Sequence, residues 1–158
     1  MIKYKLMKDI HTHSDKSSVV VGGFEVVSFP DLGITGSLAK IDTGAYSGAI
    51  GCVEASVEGR GPNKVLHFRV AGNMSTVHST KEFKVRYVRS SNGSRHKRYL
   101  IKTTIQLKGR VYAILIGLAD RSDMKNDVLV GRKFLRDNNI LVDLKRNHEY
   151  DTDEGFVQ

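Results

Sequence analysis

The stretch Ala39-Lys40-Ile41-Asp42-Thr43-Gly44-Ala45-Tyr46-Ser47-Gly48 decides how the rest of the chain is read. An apolar strand end runs into an acid, a small hydroxyl residue and a glycine. Ile41 anchors the strand in a core, and Asp42 projects from its end. Gly44 has no Cβ to clash and lets backbone approach backbone. The Thr43 hydroxyl both donates and accepts, so it can tie the turn to a neighbouring chain or loop. Taken alone, Asp-Thr-Gly also fits a β-turn in which the acid bonds its own backbone. A second stretch shifts the balance. Val128-Leu129-Val130-Gly131-Arg132-Lys133-Phe134-Leu135 reads as a buried strand, a glycine and the start of a short helix.

The pairing of Asp-Thr-Gly-Ala with a later apolar-apolar-Gly-Arg resembles the retropepsins, the half-size aspartic peptidases of retroviruses and their cellular relatives. Residues Val21 to Ile34, followed by Ala39 to Ala45, narrow the likeness to a bacterial retropepsin-like family that carries the label ATP-dependent zinc protease. His96-Lys97-Arg98, Leu118 to Met124, Leu129 to Arg132 and Leu141-Val142-Asp143 fit the same pattern. The resemblance implies an all-β, retropepsin-like (acid protease) β barrel with one short C-terminal helix. The strand pattern points the same way. Val19 to Val27, Ser37 to Asp42, Ala49 to Glu58, Lys64 to Ala71, Lys81 to Arg89, Tyr99 to Leu107, Val111 to Leu118, Val128 to Val130 and Ile140 to Leu144 read as strands. Turn signals separate them at Pro30, Gly59 to Asn63, Asn92-Gly93 and Lys108-Gly109. Many short strands with one late helix, over Arg132 to Asn138, fit a small closed or partly closed barrel.

At 158 residues the chain is long enough for one domain with a real core. Residues 1–18 read as a leader, 19–148 as the domain, and 149–158 as an acidic tail. The leader holds Asp9-Ile10-His11-Thr12-His13-Ser14, which resembles the metal-binding start of PHP-type phosphoesterases. The remaining histidines lack that family's spacing, so His11 and His13 are expected in an exposed tail. One cysteine, Cys52, excludes an intrachain disulfide framework, and its apolar setting suits a small core residue rather than a nucleophile. The basic amino terminus lacks the apolar run of a signal peptide, and nothing approaches a membrane span. A cytoplasmic protein with no membrane partner is expected.

The resemblance assigns Asp42, Thr43 and Gly44 to catalysis, with Gly131 and Arg132 as structural support. An aspartic peptidase needs two carboxylates facing across one water. At about 3 Å they cannot both ionise cheaply, so they share a proton and titrate as a unit. The chain has one Asp-Thr-Gly, and the second carboxylate is expected from another copy, in a C2 homodimer with the site on its axis. Ala45 stands where many pepsin-like enzymes have a hydroxyl residue; losing that donor moves the expected working pH toward neutral. Neither half of the family label finds support: there is no His-Glu-x-x-His helix and no phosphate-cradling Gly-x-x-x-x-Gly-Lys loop. No metal and no cofactor are expected. Two positions depart from the pattern. Retroviral members usually carry an acid that pairs with the Arg of the Gly-Arg motif, and here that position is Ser47, so Arg132 needs another partner. The bacterial family often has Leu-His where Ile50-Gly51 stand.

Charge gives the substrate expectation. The net charge is +8. Its source is the window from Lys81 to Arg110, which holds basic residues 81, 84, 86, 89, 95, 97, 98, 102, 108 and 110 against the single acid Glu82. Such an excess favours an acidic partner. The resemblance implies association with ATP-grasp ligases that add glutamates to peptide or ribosomal-protein ends. Ala45, Arg86, Arg89, Arg95, His96, Lys97 and Arg98 are therefore the expected binders of an acidic, glutamate-rich tail, the arginines in bidentate fashion. The acidic tail, with Glu149, Asp151, Asp153 and Glu154, could fold over the same strands as a pseudo-substrate. The alternative is a non-catalytic module that binds nucleic acid or the ribosome through strands 81–110, although the window shows no nucleic-acid motif and few aromatics.

Overall fold

The computed structural model describes residues 17–89 and 92–152. The His11 and His13 expectation, and the tail beyond residue 152, lie outside the described residues.

Among the described residues, eleven strands and one short α-helix are formed. β1 is Val19–Val21, β2 Phe24–Phe29, β3 Ile34–Asp42, β4 Ala49–Glu58, β5 Val65–Val70 and β6 Asn73–Thr80. β7 is Phe83–Arg89, β8 Arg95–Leu107, β9 Arg110–Ala119, β10 Val128–Gly131 and β11 Ile140–Val142, with α1 at Arg132–Asp137. The strand order β10-β3-β2-β8-β9-β4 closes on itself because β10 also pairs β4. The result is a six-stranded barrel, and closure removes the open edges that such short strands would otherwise present. β5 and β6 extend the sheet beyond β4, and β7 adds to β8. β1 and β11 form a separate parallel pair.

The barrel interior follows from strand alternation. Along β8, Ile101, Ile105 and Leu107 are buried, as are Ile114, Ile116 and Leu118 on β9. They meet Val27, Phe29, Ala39, Ile41, Ile50, Val128 and Val130 in one core. Burying such side chains stabilises the fold by about 1.5–3 kcal/mol each, and they fix the register that delivers Asp42 to a strand end.

The expected strands largely form, with instructive differences. Val19 to Val27 is not one strand: Gly22-Gly23 breaks it. A Cβ on Gly22 would lie 2.4 Å from the Arg146 carbonyl oxygen, so the C-terminal segment crosses there. β8 starts at Arg95, four residues ahead of the expected Tyr99, because β7 pairs it all the way to Arg89↔Arg95. β6 has no counterpart in the sequence reading. Its polar run Asn73 to Thr80 carries exposed Met74 and Val77 and pairs only with β5, so no buried face imprints a pattern. At Lys108-Gly109 both residues have positive φ (51° and 75°), the two-residue turn that matches strand twist.

Candidate active site

β3 brings Asp42 to the barrel's end because Ala39 and Ile41 are buried while Asp42 emerges half-exposed. The chain then turns tightly. Asp42 Oδ1 accepts the Gly44 N–H at 2.9 Å and the Ala45 N–H at 3.2 Å. The Asp42 carbonyl takes Ala45 N–H as well, at 3.3 Å. The carboxylate is thereby oriented by its own turn. A Cβ at Gly44 would stand 3.2 Å from Asp42 Oδ1, and this close approach is why a glycine suits the position. Thr43 and Gly44 form the exposed tip.

The Gly131-Arg132 segment locks this loop. β10 runs parallel to β3 with Gly131 opposite Asp42. Arg132 N–H donates to the Ala45 carbonyl at 2.8 Å and Lys133 N–H to the Tyr46 carbonyl at 3.1 Å. Loop and strand end are in such contact that a Cβ on Gly131 would lie 2.7–2.9 Å from backbone atoms of residues 46–48. Gly48 is equally constrained, 2.4 Å from the Leu129 carbonyl oxygen by the same construction. Its own carbonyl accepts Gly117 N–H from β9 at 3.1 Å.

Arg132 finds the partner its sequence context lacks. Its Nη1 donates to the Gly44 carbonyl at 2.7 Å, and its guanidinium lies 5.4 Å from the Tyr46 ring centre. Ser47 serves another arginine: its Oγ accepts Arg86 Nη1 at 3.0 Å, and Arg86 also stacks over Tyr46 at 5.9 Å. Arg136 of α1 hydrogen-bonds Asp137 at 3.3 Å; its guanidinium is pushed above its ordinary value by Asp137 first and Tyr46 second.

The other expected binders divide between two faces of the β7–β8 hairpin. Register pairs Arg86 with Arg98 and Val88 with His96 on one face, and Tyr87 with Lys97 and Arg89 with Arg95 on the other. Arg86 and Arg98 face the Asp42 loop. The Arg98 stem lies against Gly117, where a Cβ would be 3.0 Å from its Cδ. On the far face Arg95 covers Tyr87 (5.1 Å) and Lys97 covers Tyr99 (5.0 Å). Thus Arg89, Arg95 and Lys97 are not brought to Asp42. The sequence reading assigned no role to Tyr46, Ser47 or Arg121. Burial lowers the Arg121 guanidinium from its ordinary value; Asp127 opposes the shift, Arg98 reinforces it, and Asp42 opposes it. The Arg121 Nε is held by the Asn126 carbonyl at 2.9 Å. Its place in the Leu118 to Met124 motif was the signal available.

Cys52 is half-buried, with Sγ donating to the Glu54 carbonyl at 3.1 Å. Burial pushes its thiol up. It lines a shallow cleft of about 240 Å³ together with Lys97, Tyr99 and Asp120. Gly51, in place of the family's histidine, gives its N–H to the Asp127 carbonyl at 2.7 Å. Among the described residues no three His, Cys, Asp or Glu side chains gather as a metal site requires. Among the same residues, no helix is long and apolar enough to cross a membrane.

A closed β barrel that sets an Asp-Thr-Gly turn against a Gly-Arg strand end defines the retropepsin-like class of fold. Within that class the chain belongs to the RimB-like family, described as "Retropepsin-like aspartic endopeptidase RimB", which matches residues 20–152. Proteins from Shewanella pealeana and Desulfotalea psychrophila, each described as a probable alpha-L-glutamate ligase, are 32% and 27% identical over 129 and 132 residues. These alignments cover 78% and 80% of this chain but only 28% of either relative, so the chain spans just over a quarter of their length. A Legionella pneumophila protein of unknown function has a crystal structure similar to this fold, with a TM-score of 0.60 and 26% identity. That likeness covers 80% of this chain and 94% of the other.

Proposed function

We propose that this chain is an aspartic-type peptidase that hydrolyses peptide bonds in acidic, glutamate-rich tails. Its dyad is completed by Asp42 of a second copy. The observation that carries this reading is the Asp42 turn: a half-exposed carboxylate beside the exposed Thr43-Gly44 tip, oriented by two N–H groups through one oxygen. In a symmetric dimer two such tips meet on the axis, with Thr43 bridging between copies. One carboxylate is ionised and takes a proton from the shared water, which attacks the scissile carbonyl carbon. The protonated partner donates to the carbonyl oxygen and stabilises the tetrahedral intermediate. Collapse of that intermediate breaks the C–N bond as the amine leaves with a proton.

Acidic substrates are supported by the two arginines that the hairpin directs at this loop, Arg86 and Arg98. The relatives described as glutamate ligases add to this, since a segment like this chain accompanies a glutamate-handling chain there.

The decisive experiment is hydrolysis of a peptide ending in several glutamates by wild type and Asp42→Asn near neutral pH, with and without chelator. The expected result is cleavage that chelator leaves unchanged and Asn abolishes. Cleavage that survives Asp42→Asn, or that chelator stops, would refute the dyad. Product masses distinguish endo- from exopeptidase action.

A further inference from the structure

Three guanidiniums crowd the loop that carries Asp42. Among the described residues none of them, Arg86, Arg98 or Arg132, has a carboxylate at ion-pair distance. Arg86 and Arg98 stand directly opposite one another across the β7–β8 ladder, an arrangement of like charges that destabilises a sheet. Arg86 reaches neutral partners only, Ser47 Oγ at 3.0 Å and the Tyr46 ring. Arg132 does the same with the Gly44 carbonyl at 2.7 Å and the same ring. The Arg98 stem rests on Gly117, whose N–H holds the Gly48 carbonyl at the end of the loop. Each guanidinium has five N–H donors, and one neutral acceptor leaves most of them, and the whole charge, available.

We propose that Arg86 and Arg132, which flank Tyr46, together with Arg98 opposite Arg86, form a subsite that reads the carboxylate of a glutamate side chain in the peptide held over Asp42. This rests on the peptidase reading above. A carboxylate entering here meets the fork geometry that guanidinium offers, and it relieves the like-charge repulsion that the protein carries alone. The Tyr46 ring fixes two of the three cations, so less side-chain freedom is lost when ligand binds. The subsite shares its loop with Asp42, so one extended peptide can occupy both. Arg89, Arg95 and Lys97 lie on the other hairpin face and take no part.

Calorimetric binding to the full-length Asp42→Asn variant separates substrate reading from chemistry. Two matched peptides serve as probes, one ending in glutamates and one in glutamines. A preference for the glutamate peptide of about ten- to hundredfold is expected, the range that one or two charge-assisted hydrogen bonds supply. Adding Arg86→Gln should cut that preference below about threefold while the denaturation midpoint stays at or above that of Asp42→Asn, since the like-charge pair is relieved. Arg132→Gln also removes the Gly44 tie and can disturb the loop, so Arg86→Gln carries the test. Equal affinity for the two peptides overturns the subsite. So does inorganic phosphate that competes as well as the glutamate peptide, which would make this a general anion site. Failure of the two readings looks different. Glutamate-selective binding without hydrolysis by wild type sinks the peptidase and keeps the subsite. Equal hydrolysis of both peptides keeps the peptidase and sinks the subsite.

Discussion

Replacing Gly131 by alanine tests whether the lock between β10 and the Asp42 loop holds the site together. The added Cβ would lie 2.7 Å from the Ser47 carbonyl carbon, 2.8 Å from the Tyr46 carbonyl oxygen and 2.9 Å from the Gly48 nitrogen. All three are backbone atoms, so no side chain can rotate away. The molecule has two ways to respond. It can hold the loop and accept overpacking, which costs about 1–3 kcal/mol. Or it can let the loop swing off β10 and lose the Arg132–Ala45 and Lys133–Tyr46 hydrogen bonds, at roughly 0.5–1.5 kcal/mol each. Both routes cost about the same, so destabilisation of about 1–3 kcal/mol is expected whichever is taken. Urea unfolding reads it as a lower midpoint at unchanged slope. The activity loss should be larger in proportion, because displacing a reacting group by about 1 Å costs about a hundredfold. Gly44→Ala is the contrast. Its Cβ meets only Asp42 Oδ1, at 3.2 Å, so stability should move by less than about 0.5 kcal/mol while cleavage drops as the carboxylate is pushed aside. A Gly131→Ala protein with wild-type midpoint and rate would refute the idea that this contact positions Asp42.

Burial raises the Cys52 thiol above its ordinary 9.0, so alkylation by iodoacetamide at pH 7.5 should be slower than for a free thiol. The unfolded chain then loses its thiol proton first as pH rises, and stability should fall above about pH 9 by linkage; urea midpoints at pH 8–10 should lose that added slope in Cys52→Ala. The Lys133 hydrogen bond holds the Asp137 carboxyl below its ordinary 3.8. Its contribution is present above that value and lost as pH falls through the lowered one, so the gap between wild type and Asp137→Asn in urea midpoint should close in acid. The gap itself should stay under about 1 kcal/mol because the pair is exposed. If the dyad forms between copies, specific activity should fall on dilution in step with the dimer fraction seen by sedimentation; constant activity from a monomer would remove the twofold site. Polyanionic RNA should bind weakly, with a steep salt dependence through Arg89, Arg95 and Lys97, and should not compete with a glutamate peptide; competition would favour the nucleic-acid reading.

The fold was legible because its closing elements write themselves in local pattern. Ile41 before Asp42, and Val128 to Val130 before Gly131, are short buried runs that end at punctuating residues, and both become neighbouring strands. The place of Asp42 at a strand end, and of Gly44 in the turn after it, was legible for the same reason. What escaped depends on register between distant strands. The identities of Arg86 and Arg98 were plain, but their sharing of a face rests on the register between β7 and β8. Arg89 and Arg95 look equivalent to them in a charge count and end on the opposite side. β6 escaped because most of its residues face solvent, leaving no apolar period to read. Tyr46 escaped because its role is to gather cations from β7 and α1, and nothing in its neighbours announces that.

The exchange at position 47 ties these strands of reasoning together. An acid there would neutralise Arg132 within the loop, as the resemblance to retroviral members led one to expect. Serine instead accepts one hydrogen bond from Arg86 and leaves the local charge one unit more positive. Arg132 turns to a carbonyl and an aromatic face, which satisfy its geometry without cancelling its charge. The loop that carries Asp42 is thus flanked by Arg86 and Arg132, neither of which has an ion-pair partner among the described residues. On the proposed reading, this charge favours acidic side chains in a peptide bound at the loop. Ser47→Asp tests that. It should restore an ion pair to Arg132 or Arg86, raise the denaturation midpoint modestly, and weaken binding of a glutamate peptide far more than that of its glutamine counterpart. A variant that binds both peptides as wild type does would show that the uncompensated charge at this loop has no part in choosing the substrate.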